Sequence, residues 1–143
     1  YPADSEGVSP GSSRIYFEHH KDVLIISYAN GVPLSLRAAE KALASHGIRC
    51  KILDLRWLLP LNHELILQES EKVDTILVVD ECRETGNINE EILSLLKSSG
   101  NTKKSSRVCA ENTYLPLGPA TDFVLPTEEQ IYEEIIKLKE KGD

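Results

Sequence analysis

At 143 residues, with 41% hydrophobic and 27% charged side chains, the chain is expected to form one domain around one core. Its net charge of -7 argues against a nucleic-acid surface and against an anionic-membrane surface. No stretch approaches the roughly 18 apolar residues of a membrane-spanning helix, and no signal peptide or targeting segment is evident.

Cys50, Cys82 and Cys109 are sparse and odd in number, which suits a reducing compartment and a cytoplasmic location rather than a disulfide framework. Cys50 and Cys109 fall in predicted strands and are read as buried structural thiols. Cys82 follows Asp80 and Glu81, whose charges disfavour a thiolate, so it is a poor candidate nucleophile. Methionine is absent from the sequence, and Tyr1 is therefore expected to be an internal cut point of a longer chain.

Residues 1–13 are rich in Pro, Gly and Ser and read as a linker, with the domain running from 14 to 143. Arg14 to Glu18 reads as a short edge strand. It is expected to run antiparallel to the next strand, because the turn through His20, Lys21 and Asp22 is too short for a parallel crossover. That next strand, Val23 to Tyr28 (VLIISY), is continuously apolar but for one serine, as strands buried under helices on both faces are. Asn30 and Gly31 form the following loop. Pro33 sits at a first helical turn, Leu36, Ala39, Ala42 and Leu43 recur at helical spacing, and Gly47 is a natural stop.

Ile48 to Leu55 reads as a strand, and Asn62 as the cap of a helix through about Ser70. Thr75 to Val79 (TILVV) is a third inner strand. Asn87 with Glu90 resembles a capping box before the stripe Ile88, Ile92, Leu95 and Leu96. Gly100 to Ser106, containing Lys103 and Lys104, reads as a solvated loop, and Arg107 to Ala110 as a short strand. Tyr114 to Pro126 is expected to be a long ordered loop, and Thr127 to cap a last helix that buries Ile131, Ile135 and Leu138. The fold class is thus α/β, a three-layer αβα sandwich. Its mixed five-stranded sheet is mostly parallel with one antiparallel edge strand.

In such sheets ligands gather at the carboxyl ends of the strands. Those ends here carry Asn30, Asp54 with Arg56, the run Asp80-Glu81-Cys82-Arg83-Glu84, and Glu111 with Asn112. Acids interleaved with arginines favour an ion-pair network that braces the rim over an ion or ligand site. Arg56 and Glu81 are expected to face each other across neighbouring strand ends. No G-x-G-x-x-G follows VLIISY, no G-x-x-x-x-G-K-[ST] loop occurs, and no histidine or cysteine spacing suggests a metal site or a nucleophile–base pair. Catalytic, cofactor-binding and metal-ligating residues are therefore all expected to be absent. Trp57 to Leu61 (WLLPL) and Tyr114 to Pro119 gather large apolar residues in loops. Core packing or an interdomain contact would each explain them.

Four passages carry a resemblance: DVLIISYANGV at 22–32, DLRWLLPL at 54–61, VDECRETG at 79–86 and AENTYLPLGPA at 110–120. They resemble the C-terminal domain of the transketolase superfamily, nearest to the beta-subunit type of thiamine-diphosphate-dependent 2-oxoacid dehydrogenases. The pairing of D-L-R-x-L-x-P with V-V-D-E some 20 residues later is its most specific part. The resemblance implies an accessory and subunit-association domain of an enzyme that decarboxylates a 2-oxoacid and transfers the acyl group to lipoamide. It implies thiamine diphosphate and magnesium in the full-length enzyme but not in this part of it. The implied partners are thiamine-diphosphate-binding domains of the same or a partner chain, a second subunit of a dimer and, in some members, a lipoyl acyltransferase core. Asn30, Asp54, Arg56, Trp57, Glu81, Arg83 and Glu111 are the structural or interface candidates. VDECRETG departs from the shorter, less charged loop of that family. The alternative from another class is a non-catalytic ligand- or protein-binding α/β domain.

Overall fold

The computed structural model describes residues 9–140. The first eight residues of the expected linker and the last three of the chain, including Lys141, lie outside the described residues. In chain order the elements are β1 (Arg14–Tyr16), β2 (Val23–Ser27), α1 (Gly31–His46), β3 (Cys50–Asp54), α2 (His63–Glu71), β4 (Thr75–Arg83), α3 (Ile88–Ser98), β5 (Lys104–Ala110), a 3-10 helix (Gly118–Phe123) and α4 (Glu128–Glu140).

The five strands form one sheet in the order β1-β3-β2-β4-β5. β2 is buried along its whole length, with parallel neighbours on both edges, which is why its sequence does not alternate. Its side chains still alternate between two cores. Val23 and Ile25 join Ala38, Ala42, Ile131 and Ile135 beneath α1 and α4, while Leu24 and Ile26 join Ile66, Ile92 and Leu96 beneath α2 and α3. Cys50 is buried in the first core, where burial pushes its thiol up to about 12 with Asp22 adding to the shift.

The antiparallel edge is present, but its partner differs from the expected one. β1 pairs with β3, in the register Arg14↔Asp54, Ile15↔Leu53 and Tyr16↔Ile52, and not with β2. Both edges of β2 are already taken by the parallel neighbours that its helical crossovers deliver. The chain between β1 and β2 therefore passes beneath β3, turning at Phe17 (φ 55°), and the ring Nδ1 of His20 lies 3.0 Å from the Cys50 carbonyl.

The helices begin where their chemistry allows. Asn62 caps α2 by accepting the Leu65 N–H at 3.1 Å. Thr127 and Gln130 form a reciprocal capping box on α4, in which the Thr127 Oγ1 accepts the Gln130 N–H and the Gln130 Oε1 accepts the Thr127 N–H. α1 starts at Gly31, two residues before Pro33, and turns Ser35, Ala38 and Ala42 inward, so Leu43 is left on the surface. Gly47 closes it in the left-handed conformation, φ 67°.

Three further expectations are corrected. β5 begins at Lys104, within the stretch read as loop. Lys103 donates to the carbonyls of Glu71 and Val73, and Lys104 to those of Lys137 and Leu138 in the last turn of α4, so both cations serve helix ends and turns. The loop after β5 contains the 3-10 helix, with Pro119 in its first turn.

Candidate functional site

β4 does not end at Val79. It continues to Arg83 through a bulge: Asp80 pairs with Cys109 and Arg83 with Ala110, so Glu81 and Cys82 are two extra residues against β5. The bulge frees a backbone N–H, at Cys82, which the Asp80 carboxylate accepts at 2.8 Å. The same fully buried carboxylate takes the Tyr28 hydroxyl at 2.5 Å and, on its other oxygen, the backbone N–H and the side-chain amide of Asn89 at 3.2 and 2.7 Å. Asp80 thus meets the N-terminus of α3 as a charged acceptor. Asn87, read as the cap, makes no capping bond and instead donates to the carbonyls of Arg83 and Thr85. Glu90 reaches back as a capping box requires, but to the N–H of Gly86.

From Asn89 the network continues outward. Its side-chain oxygen accepts from Arg107 at 2.9 Å, and Arg107 pairs with Glu84 at 2.5 Å. The Tyr28 hydroxyl also lies 3.5 Å from the Cys82 sulfur. Burial raises the Tyr28 pKa, and the bonds to Asp80 and Cys82 push it the same way, so the hydroxyl stays a neutral donor. The strand order reverses between β2 and β4, where open α/β sheets usually keep their ligand crevice. Here the Tyr28–Asp80 bond spans that crevice. Below it Gly31 approaches β2 so closely that an added Cβ would lie 2.2 Å from the Ser27 Oγ, which itself donates to the Val79 carbonyl at 2.9 Å.

The candidates named from the sequence all lie on this rim, but they do not converge. Asp54 ends β3 half-buried, and Arg56, with φ 55°, pairs back to it at 3.2 Å. The expected Arg56–Glu81 pair is absent, because β2 separates β3 from β4 and Arg56 turns to the nearer Asp54. Asn30 is exposed at the start of α1 and its side chain makes no capping bond. Glu81, Arg83 and Glu111 line a cleft of about 250 Å³ between the bulge and the post-β5 loop, together with Cys82, Asn87 and Leu115. Among the described residues none of these three takes part in an ion pair. Among the described residues the ion pairs on this rim are therefore two short-range ones, Arg56–Asp54 and Arg107–Glu84, and not a continuous ion-pair network.

The apolar loops divide. Leu58 and Leu61 pack on the core beneath α2 and α3, whereas Trp57 and Leu59 face outward, Leu59 with 89% of its surface exposed. After β5, Tyr114, Leu117 and Phe123 are 91%, 96% and 86% exposed. Lone exposed apolar residues are ordinary, but here several large ones stand on the two loops at one end of the sheet. Of the residues that organise this rim, Asp80 was named from the sequence only as part of a charged strand end, and Asn89 and Tyr28 were not named as site residues at all. The one available signal was Asp80 following an apolar run, and it could not disclose that the strand continues through a bulge.

Among the described residues no group of three or more His, Cys, Asp or Glu side chains is disposed to hold a metal ion, and no helix is long and apolar enough to cross a membrane. The model of the transketolase C-terminal domain matches residues 13–131. The beta subunit of an acetoin:2,6-dichlorophenolindophenol oxidoreductase from Cupriavidus necator is 35% identical over 126 residues, covering 85% of this chain and 37% of that subunit. The pyruvate dehydrogenase E1 component subunit beta of Bacillus subtilis is 29% identical, covering 83% of this chain and 37% of its own. A solved structure described as a split gene transketolase, inactive beta4 tetramer, aligns with a TM-score of 0.76 at 20% identity, covering 92% of this chain and 42% of that one. At that identity the likeness is one of fold. The chain spans about two-fifths of the length of these relatives.

Proposed function

The chain belongs to the transketolase C-terminal domain family, and from that membership we propose that it is the accessory, subunit-associating part of a thiamine-diphosphate-dependent 2-oxoacid dehydrogenase. Relatives over most of its length are beta subunits of dehydrogenase-type enzymes, and it covers only about 37% of each. The observation that carries the reading is the apolar rim. Leu59, Tyr114, Leu117 and Phe123 stand in solvent on the two loops that leave β3 and β5, over a scaffold whose ligand crevice is occupied by its own Tyr28 and Asp80. A surface of that kind gains free energy when another domain covers it.

On this reading residues 14–143 pack through the rim against thiamine-diphosphate-binding domains of the same or a partner chain and against a second subunit of a dimer. The assembled enzyme would decarboxylate a 2-oxoacid and pass the acyl group to lipoamide on an acyltransferase core, in the cytoplasm. Asn30, Asp54, Arg56, Trp57, Glu81, Arg83 and Glu111 would shape the interface. Thiamine diphosphate and magnesium do not fit the described residues by themselves. The loop between β2 and α1 offers a single glycine, the Gly31 and Val32 N–H groups at the start of α1 are bonded to the Tyr28 and Ala29 carbonyls, and no carboxylate cluster is disposed for a cation. The cofactor would be held by the remaining three-fifths of the enzyme.

Calorimetric titration of the chain with thiamine diphosphate and magnesium is expected to give no saturable heat in the micromolar range. Micromolar binding would overturn the accessory role.

A further inference from the structure

At the end of the sheet opposite the rim, a cleft of about 540 Å³ is lined by Glu18, His19, Lys21, Lys51 and Lys72. Three of its five residues are lysines, in a chain whose net charge is -7. Lys51 is the second residue of β3, an interior strand, and is only 2% exposed. Its ammonium lies 2.8 Å from the Glu69 Oε2, and the Lys72 ammonium lies 2.6 Å from the Oε1 of the same carboxylate. One carboxylate therefore anchors two ammonium groups side by side and neutralises one of them. An ammonium has three donors, and Lys51 makes a single hydrogen bond among the described residues. Buried donors are rarely left unmet, and those of Lys51 border an open cleft. Lys21 and His19 border the same cleft and make no side-chain hydrogen bond or ion pair among the described residues.

We propose that this cleft is an oxyanion site that takes a phosphate group, with Lys51 as the buried donor and Lys21 and Lys72 as the outer cations. A tetrahedral oxyanion offers several acceptors to converging point charges, which is how lysines bind phosphate. Glu69 holds Lys51 and Lys72 in place and leaves the pair a surplus positive charge. Glu18 and the C-terminal end of α2 oppose an anion, so binding in the millimolar range is expected from the free group.

The test is calorimetric titration of the chain with inorganic phosphate and with phenyl phosphate, in chloride buffer of matched ionic strength. Saturable binding is expected, weakened at least several-fold by Lys21→Gln, strengthened by Glu18→Gln, and unchanged by Lys97→Gln on the exposed face of α3. Lys51→Met is expected to abolish it. Should that variant fail to fold, Lys21→Gln and Glu18→Gln still decide. Tighter binding of phenyl phosphate would identify the natural occupant as a phosphorylated organic ligand, and equal binding would identify free phosphate. Absence of saturable heat in the unaltered chain, or equal weakening by Lys21→Gln and Lys97→Gln, would overturn the proposal.

Discussion

Asp80 accepts four hydrogen bonds, and among the described residues it forms no ion pair, so its partners there are the donors of Tyr28, Cys82 and Asn89. Replacing it with alanine strands those donors in a buried setting and is expected to cost about 3 kcal/mol or more. Tyr28→Phe removes only one of the bonds and should cost about 1 to 2 kcal/mol. The two losses share that bond, so denaturant unfolding of the double mutant should show less than their sum. Strict additivity would mean that the 2.5 Å contact contributes nothing. Glu69 gives a second prediction at this scale. Burial alone would raise its pKa, but the bonds from Lys51 and Lys72 outweigh burial and hold it below the ordinary 4.5. A carboxylate depressed in the folded state adds stability that is complete above its unfolded value and is lost as pH falls through the folded one. Glu69→Gln should therefore cost about 3 to 5 kcal/mol near neutrality, and the gap from the unaltered chain should narrow below pH 4.5. A gap independent of pH would contradict the pairing. None of these partners was legible in the sequence. The Lys51–Glu69 pair joins a strand to a helix 18 residues on, and Asp80 reaches Asn89 only because the strand overruns its apolar segment.

The elements themselves were largely readable, because their signals are local. Continuous apolar runs named β2 and β4, Gly47 ended α1, and Asn62 and Thr127 capped α2 and α4. What failed depended on long-range competition. β1 could be called antiparallel from its short turn, but its partner is decided by which edges the parallel strands leave free. The Arg56–Glu81 expectation failed for the same reason, since it treated β3 and β4 as neighbours. The close packing of α1 on β2 belongs to this scale too. Gly31→Ala would place a Cβ 2.2 Å from the Ser27 Oγ, and is expected to destabilise the fold by about 1 to 3 kcal/mol. Ser27→Ala removes the obstructing oxygen and forfeits its bond to the Val79 carbonyl, a loss of about 1 kcal/mol. The double mutant should be more stable than the sum of the two losses implies. Thermal unfolding of the three variants checks this, and additive losses would show that the contact does not govern the approach.

For the whole molecule the two ends of the sheet differ. The carboxyl end carries the bulge, the cleft beside Glu81, Arg83 and Glu111, and the exposed Leu59, Tyr114, Leu117 and Phe123. The opposite end carries the lysine-lined cleft. The occupied crevice between β2 and β4 and the exposed rim together favour a part that works by packing against others. That account is tested most directly by isolating the native assembly through an affinity tag on this chain and measuring its thiamine diphosphate content and its oxidation of 2-oxoacids. The account predicts bound thiamine diphosphate, cofactor-dependent turnover, and loss of the co-purifying cofactor when Leu117→Asp and Phe123→Asp are introduced together. An assembly that carries no thiamine diphosphate, or one whose composition is untouched by the rim substitutions, would contradict it.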